Sequence, residues 1–226
     1  MPLFPLTTVL TPGMPLSLHI FEPRYRRLLA DLLDAPVGEG AGAQAPEPVF
    51  GVVALVRGRE VGDLGGVHEV GTVARITDVR RQPDGRADLA AIGQQRFTIA
   101  AIDARSQPYL VADVRYLDEP DGALTPSAAA AVLASLRNYR ELLADLGAGY
   151  EAGGRLPSEA VELSYAVAQQ PTIPMSDRQR ILAAADTGER LAAARAVLWR
   201  ERELVRLLRA VPADLAMFGA SAGSRS

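Results

Sequence analysis

At 226 residues with a net charge of −3 and a pI near 5.5, the chain is long enough for one large domain or two small ones, and it has no charge excess to draw it to nucleic acid. It contains no cysteine and all 24 of its basic residues are arginine, which excludes a thiolate nucleophile, a disulfide, a cysteine-bound zinc, a P-loop lysine, a Schiff base and a Ser-Lys dyad. Arginine cannot replace lysine as a base, because its pKa lies above about 12.

The amino terminus, Met1-Pro2-Leu3-Phe4-Pro5-Leu6, lacks the basic region and small-residue cleavage site of a signal peptide, and no apolar run reaches the roughly 18 to 20 residues of a membrane span. Cytoplasmic residence with no membrane partner is the expectation. From Leu3 to about Asp118 the pattern predicts short strands between Gly and Pro punctuation. Pro12-Gly13 reads as a turn, and Leu16-Ser17-Leu18-His19-Ile20-Phe21 alternates as a strand in which His19 is hydrogen-bonded.

One helix is expected at about 23–34, with Pro23 at its first position and Tyr25, Leu28, Leu29, Leu32 and Leu33 on its apolar face. Glu22 and Arg26 have the spacing of a helical ion pair, worth about 0.3 to 0.5 kcal/mol. Ala35 to Pro48 and Arg57 to Gly66 read as flexible loops, with Val49 to Val56 a buried strand between them. His68 is expected to be exposed in a turn-rich segment.

Thr72 to Val79 and Ala87 to Ile92 read as the arms of a hairpin around Pro83-Asp84-Gly85. Gln95 to Ile102 and Tyr109 to Tyr116 continue the meander, giving enough strand to close a small barrel. Beyond it, Thr125 and Pro126 open a helix with Val132, Leu136, Tyr139, Leu143 and Leu146 along one seam. Ser158 is expected to cap the next helix, Ser176 to Gln179 to form a capping box for a third, and Thr187 to Arg209 to form the last. The result is an α+β fold: a β-rich lobe over residues 1–120, a four-helix bundle over 121–212 and a frayed tail over 213–226.

The two histidines stand 49 residues apart and neither lies in an HExxH or HxxxH arrangement, so no metal or cofactor is expected. The ordered segments do suggest a family. Leu3-Phe4-Pro5-Leu6, Val9 to Leu16 and His19-Ile20-Phe21-Glu22-Pro23-Arg24-Tyr25 resemble the opening of the Lon substrate-binding domain. Val70 to Ile76, Pro83 to Arg86, Gly93-Gln94-Gln95-Arg96-Phe97 and Leu163 to Ala168 agree in order, so the resemblance covers roughly residues 2–210.

The resemblance implies a PUA-like pseudo-barrel lobe followed by the helical bundle. It also implies a free-standing module without the AAA+ ATPase and Ser-Lys peptidase of full Lon proteases. Such a chain is expected to be a non-catalytic substrate-selecting or adaptor protein linked to proteolysis. Its partners would be unfolded or extended polypeptide, and a protease or another cytoplasmic protein. The groove would lie beside strand edges, bordered by the two flexible loops.

Phe21, Tyr25 and Phe97 are the aromatic candidates for partner contact, although such residues are more often core. Arg24, Arg26 and Arg27 could receive an acidic segment, the plainer reading being a solvated helix face. Nucleic-acid binding, by analogy with other PUA-like folds, is the first alternative. A hydrolase using Ser, Asp or Glu with His19 or His68 is the second.

Overall fold

Apolar alternation in the first half becomes strand, and 3.6-residue periodicity in the second becomes helix, in a computed structural model that describes residues 1–34, 47–56, 66–147 and 155–208. The chain divides into two compact units, Met1–Asp118 and Glu119–Ser226. The loop expectations for 35–46, 57–65 and 148–154, residue Arg209 and the tail over 213–226 lie outside the described residues.

In the first unit the elements run β1 (Leu3–Leu6), β2 (Pro15–Ile20), α1 (Pro23–Leu33), β3 (Val49–Ala54), β4 (Val70–Arg81), β5 (Ala87–Asp103) and β6 (Val111–Tyr116). They form one mixed sheet in the order β1-β3-β4-β5-β2, with β6 also on β5. Among the described residues only the β1–β3 pairing is parallel. The start of β1 also meets β6: Leu3 donates its N–H to the Leu110 carbonyl at 2.8 Å and Ala112 donates to Met1 at 2.9 Å.

Two apolar clusters are built on this sheet. One joins Phe4, Ile20, Phe50, Val52, Ile76 and Leu89 to Tyr25, Leu28 and Leu29 of α1. The other holds Leu3, Val53, Val73, Phe97 and Ala112.

Two expected strands, Ala87 to Ile92 and Gln95 to Ile102, are one continuous β5. Gly93 marks a close approach rather than a break. A side chain there would collide with the Thr11 carbonyl, and the Gly93 N–H donates to Met14 at 2.9 Å. Register shifts opposite Thr72/Ala74 and Ile76/Asp78 bend the ladder without ending it. At the hairpin tip Gly85 takes φ +82, and Arg26 of α1 lies so close that a Cβ would collide with its guanidinium. The expected Glu22–Arg26 side-chain pair does not form: Glu22 is the N-cap residue with extended backbone, its carbonyl accepts from Arg26 N–H at 3.0 Å, and its carboxylate pairs with Arg24 at 2.7 Å instead. His68 is half-buried rather than exposed, because its N–H is drawn to the Ala54 carbonyl at 2.9 Å.

The second unit contains α2 (Pro126–Asp145), α3 (Ala160–Ala168), α4 (Met175–Ala183) and α5 (Thr187–Leu208). Thr125 caps α2, its Oγ1 accepting from Ala128 N–H at 3.2 Å, an interaction worth about 1 kcal/mol. Val132, Leu136, Tyr139 and Leu143 enter a cluster with Leu163, Val167, Ile181, Leu191 and Leu198. Leu146 leaves the seam and is exposed, since the helix ends before it.

Neither expected side-chain cap forms on the next two helices. Glu159 replaces Ser158 as N-cap of α3, and Pro174 replaces Ser176 as N-cap of α4. Pro174 already holds the extended backbone a cap requires, with ψ 147, so Ser176 falls inside the helix. Asp177 is recruited instead by Arg200, at 2.6 Å. Arg190 is fully buried, bonded to Glu119 at 2.6 Å and to Thr187 Oγ1 at 2.7 Å, with Tyr165 beside it.

Candidate functional site

β2 ends the sheet order, so one of its edges has no strand partner among the described residues. The register defines what that edge offers. The Gly93 N–H donates to Met14, and the antiparallel alternation then turns Leu16, Leu18 and Ile20 toward β5. The N–H and C=O groups of Ser17 and His19 therefore point outward, and Pro15 adds a carbonyl but no N–H. Side chains alternate in the other sense: Ile20 is buried and Leu16 and Leu18 half-buried, while Ser17 and His19 are exposed.

The edge runs directly into Phe21, which is 59% exposed and stacks on the His19 ring with centroids 6.1 Å apart. His19 Nδ1 hydrogen-bonds Asp88 Oδ1 across the strand pair at 2.7 Å. That bond, followed by one from Gln82, holds the Asp88 carboxyl below the usual carboxylate range. The histidine is thus tied to the sheet by a solvent-exposed pair.

The first turns of α1 add guanidinium groups. Arg24 lies 4.6 Å over the ring of Tyr25, which stacks on Phe4 with centroids 3.9 Å apart. Burial raises the Tyr25 phenol pKa above its ordinary value. Arg27 reaches Asp31 at 2.9 Å, and Asp31 accepts from Tyr109 Oη at 2.8 Å. The Tyr109 bond is the main reason the Asp31 pKa is lowered, while burial and that same bond push Tyr109 up to about 12.

The six sequence candidates therefore separate. Phe21, Arg24, Arg26 and Arg27 gather where β2 passes into α1, with Phe21, Arg26 and Arg27 exposed. Tyr25 lies behind them in the core. Phe97 is 0% exposed in the other apolar cluster, so it presents no surface to a partner. A Cβ at Gly71 would stand 2.6 Å from its ring, which shows how closely the backbone encloses it. Sequence reasoning missed the pairing of His19 with Asp88; the only available signal was their placement in two strands whose register was not yet known.

A second feature is an open groove of about 410 Å³ where β6 and β3 flank the start of β1. It is lined by Met1, Pro2, Val49, Ala112, Asp113, Val114 and Tyr116. Pro2 has no N–H to extend the ladder there. Among the described residues no group of three His, Cys, Asp or Glu side chains is placed to hold a metal ion. No described helix is long and apolar enough to cross a membrane.

Comparison with known proteins is consistent along the chain. The family model described as the ATP-dependent protease La (LON) substrate-binding domain matches residues 1–198. Lon protease of Flavobacterium johnsoniae is 28% identical over 139 residues, covering 61% of this chain and 16% of that protein. The aligned part is thus a small share of that relative's length. Among solved structures, the Lon N-terminal domain protein from Xanthomonas campestris is similar at a TM-score of 0.62 and 25% identity, covering 87% of this chain and 96% of that one. The N-terminal domain of Mycobacterium avium complex Lon protease gives a TM-score of 0.58 at 18% identity, covering 88% and 97%, a likeness of fold.

Proposed function

The chain belongs to the family of the ATP-dependent protease La (LON) substrate-binding domain, and from that membership we propose that it is a non-catalytic module that recognises exposed polypeptide by strand addition on β2. One observation carries the reading. The outward N–H and C=O groups of Ser17 and His19 lead straight to an exposed aromatic ring, Phe21. Extended chain is the ligand such an edge fits, because it supplies the complementary backbone groups whatever its sequence. Phe21 then gives an apolar anchor, and Arg26 and Arg27 favour acidic residues in the captured segment. Tyr25 supports this surface from behind without contacting the ligand.

In this reading the protein acts in the cytoplasm as a substrate-selecting or adaptor protein for proteolysis. The β-rich lobe over residues 1–120 is a PUA-like pseudo-barrel, a view favoured by the bonds from the start of β1 to β6. The helical lobe over 121–212 is a four-helix bundle.

The test is titration of the amide spectrum with a permanently unfolded polypeptide. Ser17, His19 and Phe21 amides are expected to shift together and saturably. Phe21→Ala should weaken binding about tenfold, the loss of one buried anchor. Amides that stay unmoved at high ligand concentration would rule the proposal out.

A further inference from the structure

A second surface lies on α5 of the helical unit and needs nothing from β2. Arg195, Trp199, Arg202 and Arg206 follow one another at spacings of four, three and four, which places them on one helix face. The spread of 11 residues along the axis is about 16 Å, at roughly 1.5 Å per residue. Leu191, Ala194, Val197, Leu198 and Val205 take the core positions and leave Arg195, Trp199 and Arg206 exposed, with Arg202 half-buried at the margin of this face. Trp199 is 63% exposed, an unusual placement for the residue type with the most apolar area to bury. Exposure on this scale beside several cations needs a reason.

The charges on the ridge are only partly balanced by its own helix. Arg202 and Arg206 share one carboxylate, Glu203, at 3.5 Å and 3.4 Å, distances at which neither pair is tight. Arg202 Nε is buried with no hydrogen-bond partner, and Arg195 has no ion-pair partner among the described residues. Three guanidinium groups and one carboxylate share the helix face that carries the indole, so in a chain whose net charge is −3 this face is a local positive site on a negative molecule.

We propose that this ridge binds an acidic polypeptide segment carrying an apolar side chain, which covers Trp199 while its carboxylates pair with Arg195, Arg202 and Arg206. A second copy of the chain is disfavoured because it would set the same cations against each other. RNA is disfavoured because one indole provides a single stacking platform and the net charge repels a long polyanion. A short acidic segment brings enough charge to pair and little enough to avoid that repulsion. Guanidinium groups suit carboxylates in particular, since their planar donors match two oxygens at once.

Trp199 is the only tryptophan, so its emission reports on this face alone. The full chain is titrated with a synthetic glutamate-rich peptide in which every fourth residue is leucine, and in parallel with a lysine-rich counterpart. A saturable blue shift with the acidic peptide only is expected, with affinity falling about tenfold as salt rises through the range where the screening length shortens below about 10 Å. Arg195→Glu with Arg206→Glu should weaken binding at least tenfold at unchanged helical circular dichroism; if that pair does not fold, Arg195→Gln alone should weaken it about threefold. Arg26→Glu with Arg27→Glu, on α1, should leave it unchanged, which separates this site from the strand edge. The proposal fails if the emission does not move with acidic peptide or moves equally with the lysine-rich one. It also fails if the emission moves only with poly-uridine or anionic vesicles, or on concentrating the protein alone.

Discussion

At the scale of the residue, the two aromatics Phe21 and Phe97 make the sharpest contrast. Phe97 is enclosed by Gly51 and Gly71, whose absent side chains give its ring room. Phe97→Ala is therefore expected to cost about 3 to 5 kcal/mol, read from chemical denaturation, because the cavity cannot collapse onto glycine backbone. Phe21→Ala should change stability by less than about 0.5 kcal/mol, since its ring is already in water, while lowering polypeptide affinity.

Tyr109 offers a pH measurement at the same scale. Its pKa is raised to about 12 by burial and by its bond to Asp31. A raised value in the folded state means that its contribution is complete below the ordinary tyrosine range and is lost as pH climbs through about 12. Asp31 behaves in the opposite sense: lowered by Tyr109, its contribution holds above the ordinary carboxylate range and disappears as pH falls through the depressed value. Alkaline absorbance titration should show one phenol ionising near the unfolding limit, and Asp31→Asn should bring that phenol down.

At the scale of the element, β2 is an edge strand whose outward groups can be removed without touching its ladder to β5. Ser17→Pro deletes one outward N–H and is tolerated at an edge. It should abolish strand addition while the melting curve moves little, a combination that thermal denaturation and peptide titration read together.

Much of this element was legible in the sequence. Alternation from Leu16 to Ile20 predicted the strand, and Pro23 the helix start. What escaped was set by contacts distant in sequence. The union of β5 across Gly93 depends on the Thr11 carbonyl more than 80 residues earlier in the chain. The pairing of His19 with Asp88 depends on a register that no local pattern states. The helix begins at Met175 with Pro174 as its N-cap, so Ser176 lies inside the first turn, where its side chain is past the capping position. Of the candidate site, the cluster on α1 was readable from composition, but the separation of Phe97 from Phe21 was not, since both look alike as single aromatics near the end of a motif.

At the scale of the whole molecule, each unit has its own core, and the helical one is fastened by a buried cation. Arg190 is fully enclosed and its carboxylate partner, Glu119, is largely covered. Arg190→Leu should destabilise the protein by about 3 to 5 kcal/mol, because it takes the counter-charge from a largely covered carboxylate and leaves the buried Thr187 and Ser164 hydroxyls without their guanidinium donor. Arg190→Leu combined with Glu119→Gln should recover part of that loss in the same denaturation assay. Membership of the substrate-binding family supports the recognition reading, and β2 has an edge with no strand partner among the described residues.

The most direct measurement is amide hydrogen exchange of the full chain with and without saturating unfolded polypeptide. Strand addition predicts strong new protection at Ser17 and His19, whose N–H groups point outward, and little change at Leu16, Leu18 and Ile20, which already bond to β5. Saturating ligand that leaves Ser17 and His19 unprotected would contradict the account.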